Sequence, residues 1–153
     1  MVNLFDLSGR TILVTGASRG IGLAMATALA KHVATVILNS RDEEILDQRV
    51  SQLRSVGLDA DKSAFDVTNE KESCSSMAAV AEKYGGLYGL INNAGVLHLK
   101  GVKDTPPNKY DLINQINVRA SFLLSHYCLP HMERQGEGHI IMHSPPIDLT
   151  SLN

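Results

Sequence analysis

The residues with the strongest chemical signature are Thr15-Gly16-Ala17-Ser18-Arg19-Gly20-Ile21-Gly22. They follow the apolar run Thr11-Ile12-Leu13-Val14 and open a second one, Ile21-Gly22-Leu23-Ala24-Met25-Ala26. A short apolar strand, a glycine-rich turn and a helix start form a signature for holding the pyrophosphate of a dinucleotide. The chemistry is electrostatic. Unpaired N–H groups at a helix N-terminus face the phosphate oxygens, and the helix dipole adds to their field. Gly16 permits a tight turn, Gly20 allows a phosphate close to the backbone, and Gly22 lets the helix lie against the strand. Ser18, Arg19 and Ile21 share the turn and join these glycines as cofactor-binding candidates.

Three more stretches carry polar groups at the expected ends of strands. The first is Asn39-Ser40-Arg41. A carboxylate at such a place accepts hydrogen bonds from the ribose hydroxyls of NAD. None precedes Arg41, and Arg19 supplies a second cation. Two guanidinium groups suit a 2′-phosphate, so the pattern favours NADP over NAD. Asp42 keeps NAD open, because a shift of one residue would bring it near the ribose. The second stretch is Asp66-Val67, where Asp66 read alone is a helix cap. The third is Asn92-Asn93-Ala94-Gly95, whose small residues leave room for a nicotinamide ribose. Further on, Asn117 is a polar residue within an apolar helical stretch and needs a partner there.

The elements that must position these groups follow from hydrophobic patterning. Residues 11–15 read as the first strand and Gly20 to His32 as a helix, apolar almost all round and therefore expected to be deeply buried. Val33 to Asn39 reads as a second strand, its continuous apolar run fitting a parallel sheet covered on both faces. A second helix starts at Asp42-Glu43-Glu44 and stops at Gly57, with Ile45, Leu46, Val50, Leu53 and Val56 on its apolar face. A weaker third strand ends at Phe65-Asp66-Val67. Thr68 is the expected cap of a third helix, with Cys74, Met77, Val80, Ala81 and Tyr84 on one face and Gly85-Gly86 at its end. Leu87 to Asn92 forms a fourth strand. A helix from Thr105-Pro106-Pro107 to about Met132 is expected to kink near Pro130, and Gly138 to Ser144 is a fifth strand stopped by Pro145-Pro146. Strands alternating with helices predict a doubly wound parallel α/β sheet of the Rossmann type, over a single domain at 1–153 and in the order 3-2-1-4-5. The ligand then lies outside the carboxyl ends of the strands.

The spacing Thr-Gly-x-x-x-Gly-x-Gly, with Asn-Asn-Ala-Gly downstream, resembles the short-chain dehydrogenase/reductase family. Leu4-Phe5-Asp6-Leu7-Ser8-Gly9-Arg10 is similar to the lead-in of its 3-oxoacyl-carrier-protein reductases and gluconate dehydrogenases. His139 to Leu149 resembles hydroxysteroid dehydrogenase-like members, where Ser-Pro-Pro closes the fifth strand. The resemblance implies an NADP-dependent oxidoreductase that interconverts a small-molecule carbonyl and an alcohol. It assigns adenine to Asp66 with Val67, the ribose side to Asn93, Ala94 and Gly95, a proton-relay water to Asn117 and carbonyl orientation to Ser144. Two departures stand out. Pro145 occupies the family's catalytic serine position, leaving Ser144 one place early. The family's Tyr-x-x-x-Lys pair is also absent: Tyr84, Tyr88, Tyr110 and Tyr127 are followed at the fourth place by Tyr88, Asn92, Asn114 and His131. The chain thus reads as truncated after the fifth strand, which becomes an exposed edge. A catalytically inactive nucleotide-binding or interaction protein, or a homo-oligomer, is the alternative.

Composition narrows the field. A chain of 153 residues with 44% hydrophobic and 20% charged residues can bury a sizeable core. Its net charge of −2 offers no basic stripe for nucleic acid. No apolar stretch approaches the roughly 20 residues that span a bilayer, and no secretory signal opens the chain. Two distant cysteines, Cys74 and Cys128, suit a reducing, cytoplasmic setting. Six histidines without H-E-x-x-H or a cysteine pair give no metal site, and Ser18 lacks the G-x-S-x-G context of a hydrolase.

Overall fold

The computed structural model describes residues 5–144. Leu4 and the run from Pro145 onward, both part of the resemblances above, lie outside the described residues. Five parallel strands form one sheet: β1 (Thr11–Val14), β2 (Thr35–Ser40), β3 (Ala60–Ala64), β4 (Gly89–Asn92) and β5 (His139–Met142). Their order is β3-β2-β1-β4-β5, as the alternation predicts. The chain therefore reverses its direction of winding between β1 and β4, and polar groups at the carboxyl ends of those strands converge there. Every residue of β1 and β4 is buried, whereas the edge strand β5 exposes Ile141 and Met142.

Helices cover both faces. Helices α1 (Gly20–Lys31) and α2 (Glu43–Ser55) pack on one side over Ile12, Val14, Val36 and Leu38. Helix α3 (Glu70–Tyr84) and the long helix before β5 pack on the other, over Leu13, Ile37 and Leu90. Alternate residues of β1 and β2 thus serve opposite cores, and so both strands read as continuous apolar runs.

Four expectations need correction. Helix α1 is not buried all round. Only Gly22, Ala26 and Ala30 are buried, a stripe of small residues at every fourth place that brings the helix close to the sheet, while Ile21 is exposed. Helix α2 buries Leu46, Val50 and Leu53 but leaves Ile45 and Val56 exposed, and α3 buries Ser73 in place of the exposed Cys74. Apolar composition alone does not say which third of a helix surface meets the sheet. The cap of α3 is Asn69 rather than Thr68: its Oδ1 accepts from the N–H of Lys71 and Glu72, and Thr68 is held instead by Asp66.

The long helix carries the fourth correction. It comprises α4 (Pro107–Asn114), a π-helical turn over Gln115–Arg119, and α5 (Ala120–Gln135), joined through residues that keep right-handed helical angles. Pro130 sits inside α5 without ending it. The departure from α geometry that was not expected lies around Asn117, in a wider turn of a kind common at functional sites.

Candidate functional site

The site is built upward from the end of β1. Thr15 leaves the strand with its N–H on the Ile91 carbonyl at 3.0 Å, and its hydroxyl accepts from the N–H groups of Asn93 and Ala94, both at 2.9 Å. One buried hydroxyl therefore joins the glycine turn to the end of β4. Asn93 returns the contact, its Nδ2 donating to the carbonyl of Thr15 at 2.9 Å and reaching Gly16 at 3.4 Å.

The glycines are tested by the space around them. Gly16 and Gly20 have φ of +64° and +60°, backbone that L side chains rarely adopt. A Cβ on Gly22 would lie 2.5 Å from Asn93 Nδ2 and 2.6 Å from the Gly16 carbonyl oxygen. A Cβ on Gly20 would meet nothing within 4 Å. The turn is thus closed underneath, at Gly22, and open above Gly20, the shape a pyrophosphate requires.

The end of β2 is organised by an amide. Asn39 is buried, and its Nδ2 donates to the carbonyls of Ser63 at 3.0 Å and Phe65 at 3.1 Å, holding the exit of β3. Its own carbonyl accepts the N–H of Ala17 in the glycine turn at 2.8 Å. Arg41 is exposed, its guanidinium 3.9 Å from Asp66 Oδ2. Asp66 Oδ1 accepts from both the N–H and the hydroxyl of Thr68. Asp42 caps α2, its carboxylate accepting the Ile45 N–H at 3.0 Å, so it is turned to its own helix.

On the β4 side, Asn117 uses its whole amide on one residue. Its Oδ1 accepts the Val96 N–H and its Nδ2 donates to the Val96 carbonyl, both at 2.9 Å. The π turn makes this reach possible and ties the helix to the segment after Gly95. Asn92 is buried and donates toward Ser125 Oγ and Met142 Sδ, while its Oδ1 has no partner among the described residues. Ser144 stands two residues beyond β5, exposed at the same end.

All fourteen sequence candidates border a single open cleft of about 1130 Å³ at the carboxyl ends of the strands: Gly16, Ser18, Arg19, Gly20, Ile21, Gly22, Arg41, Asp66, Val67, Asn93, Ala94, Gly95, Asn117 and Ser144. The structure gives roles to residues that the sequence did not mark as candidates. Thr15 and Asn39 carry the hydrogen bonds beneath the cleft, and the signal for both was a polar residue closing an apolar strand. Arg49 donates to the Ser18 carbonyl from α2, and its signal was a cation beside the buried positions 46, 50 and 53.

The model of the short chain dehydrogenase family matches residues 10–146. The chain belongs to this family of oxidoreductases. Gluconate 5-dehydrogenase of Gluconobacter oxydans (strain 621H) is 39% identical over 139 residues, covering 91% of this chain and 54% of that protein. Hydroxysteroid dehydrogenase-like protein 2 of Mus musculus is 32% identical, covering 98% of this chain and 32% of its own length. A crystal structure of gluconate 5-dehydrogenase from Burkholderia cenocepacia J2315, in complex with NADP and tartrate, superposes with a TM-score of 0.85 at 30% identity over 89% of this chain and 53% of that one. The chain spans between a third and about half the length of these relatives. Among the described residues, no helix is long and apolar enough to cross a membrane.

Proposed function

We propose that this chain is the NADP-binding portion of an oxidoreductase acting on a small-molecule carbonyl or alcohol. The observation that carries the choice of dinucleotide is at the end of β2. Asp42 is committed to capping α2, Asn39 is turned into the sheet, and the charged side chains bordering the cleft there are Arg41 and Arg19, with Asp66 opposite. Two cations without a ribose-facing carboxylate fit a 2′-phosphate. The NADP complex of the Burkholderia relative supports the same reading.

Gly16, Ser18, Gly20, Ile21 and Gly22 would cradle the pyrophosphate, Asp66 and Val67 the adenine, and Asn93, Ala94 and Gly95 the nicotinamide ribose. A bound nicotinamide gives or takes a hydride at the carbonyl carbon. Asn117 has its amide engaged by Val96, so a relay water would be held by its main-chain carbonyl, which the Ser121 hydroxyl approaches at 3.3 Å. Ser144, which borders the cleft, would orient a substrate oxygen. No tyrosine among these 153 residues has lysine at the fourth following place, so the acid/base pair of the family is not drawn from them.

Calorimetric titration with NADPH and NADH tests the proposal. NADPH is expected to bind more tightly, and Arg41→Ala or Arg19→Ala to remove most of the difference. Equal affinity for the two dinucleotides overturns the NADP assignment. Binding of neither leaves an interaction protein, and size-exclusion chromatography showing one stable oligomer would favour that alternative.

A further inference from the structure

We infer that Arg49 is a positioning residue for the dinucleotide, fixing the peptide between Ser18 and Arg19 so that the glycine turn keeps its phosphate-binding shape. This rests on the dinucleotide reading above. The turn contains two residues in the left-handed region, Gly16 and Gly20. Glycine enters that region and leaves it at little cost, so the turn's own sequence does not hold its peptide planes. They are held by tethers from three other elements. Asn93 donates to the carbonyls of Thr15 and Gly16, and Asn39 accepts the N–H of Ala17. The Ser18 carbonyl accepts from Arg49 Nε at 3.0 Å, across 31 residues of sequence.

The geometry of a trans peptide gives that last tether its consequence. The carbonyl and the following N–H point in opposite directions across one plane. Holding the Ser18 oxygen against α2 therefore sets the direction of the Arg19 N–H on the other side. Arg19 is the residue immediately before α1, so this N–H belongs to the helix N-terminus that would meet the pyrophosphate.

Arg49 is itself held. Its Nη1 donates to Gln52 Oε1 at 2.9 Å, and Arg49 is half-buried on α2, at a helix position between the buried positions 46 and 53. The donor is charged, which makes the bond to Ser18 stronger than a neutral one. Arg19 and Arg41 border the cleft, and Arg49 does not. Arg49 thus acts through the turn and contributes equally to both dinucleotides, whereas a 2′-phosphate ligand would favour NADPH.

The test compares Arg49→Met, which keeps the length of the stem without a donor, with Arg49→Lys, which keeps a charged donor, and with Gln52→Ala, which removes only the support. Amide hydrogen exchange without ligand reads the turn, and titration with NADPH and NADH reads the site. Arg49→Met is expected to speed exchange at residues 17–20. It should also weaken both dinucleotides about tenfold, or about 1.4 kcal/mol, with their ratio unchanged. Arg49→Lys should recover most of the loss, and Gln52→Ala should show a smaller loss of the same kind. Unchanged affinity in Arg49→Met, or exchange at 17–20 that matches the unsubstituted chain, overturns the inference while leaving the dinucleotide reading intact. A loss confined to NADPH overturns it as well, by making Arg49 a phosphate ligand. Should Arg49→Met fail to fold, Gln52→Ala without effect on exchange or affinity overturns it. Failure of the unsubstituted chain to bind either dinucleotide removes the dinucleotide reading and this inference together.

Discussion

Gly22 shows how one atom can connect the fold to the cleft. A methyl group there would lie 2.5 Å from Asn93 Nδ2 and 2.6 Å from the Gly16 carbonyl oxygen, inside the 3.4 Å at which ordinary contact begins. Gly22→Ala must therefore push Asn93 off its carbonyl partners or lift α1 from the turn. The expected cost is about 1–3 kcal/mol, as for overpacking elsewhere, read as a lower midpoint in urea. Gly20→Ala meets no neighbour, and its cost of about 1 kcal/mol arises from backbone strain alone; a larger loss in Gly20→Ala than in Gly22→Ala would contradict this account. The motif spacing made these positions legible in the sequence, because each glycine answers a local demand. Arg49 and Asn39 were not legible in the same way. Their partners, Ser18, Ser63 and Phe65, lie 24 to 31 residues away, and only the packed sheet brings them within reach.

Elements were read well where a pattern was continuous and poorly where orientation mattered. Four of the five strands follow from apolar runs separated by helices; β3 (Ala60–Ala64) is mostly polar and ends before the Phe65-Asp66-Val67 expected to close it. Which face of each helix is buried, and where the long helix departs from α geometry, depend on contacts that periodicity does not contain. The register of α2 gives a direct check. Leu46 is fully buried, and its neighbour Ile45 is 36% exposed. Leu46→Ala is expected to cost about 2–5 kcal/mol and Ile45→Ala less than about 1 kcal/mol, by chemical denaturation; similar losses would mean that α2 is rotated from this register. A second check concerns the edge strand β3, which has few apolar residues. Asp61 in its middle meets Lys83 and Tyr84 of α3 on one side and Arg54 of α2 on the other. Burial pushes its carboxyl up, but hydrogen bonds from Lys83, Tyr84 and the Lys62 N–H outweigh this and bring it down from 3.8 to about 2. A depressed carboxyl stabilises the fold above its unfolded value, and the contribution disappears as pH falls through the folded value. Asp61→Asn should thus cost about 1–2 kcal/mol at pH 7, allowing for solvent screening at the exposed Lys83. The difference from the unsubstituted protein should close between pH 4 and pH 2. A gap that stays constant over that range would show that the ion pairs at Asp61 do not carry it.

At the scale of the whole molecule, the cleft draws on both halves of the sheet. The glycine turn and Arg41 follow β1 and β2, Asp66 follows β3, Asn93 to Gly95 follow β4, and Asn117 comes from the long helix. The two halves are joined beneath the cleft by Thr15 and Asn93. A dinucleotide bound across that junction would touch segments that separate on unfolding, so its binding energy becomes stability of the entire chain. The linkage has a definite size. Ligand at 100 times its dissociation constant adds about 2.7 kcal/mol, and for a domain of this length each kcal/mol raises the melting temperature by about 2–4 °C. NADPH at that level is expected to raise Tm by about 5–10 °C. NADH at the same concentration should raise it less, because the 2′-phosphate contacts are missing, and Arg41→Ala should bring the two shifts together. A single cooperative transition must persist in every case, since a ligand that stabilised only one half would split the melt in two. An NADPH shift of zero, or a split melt, would place the dinucleotide outside the junction that these residues form.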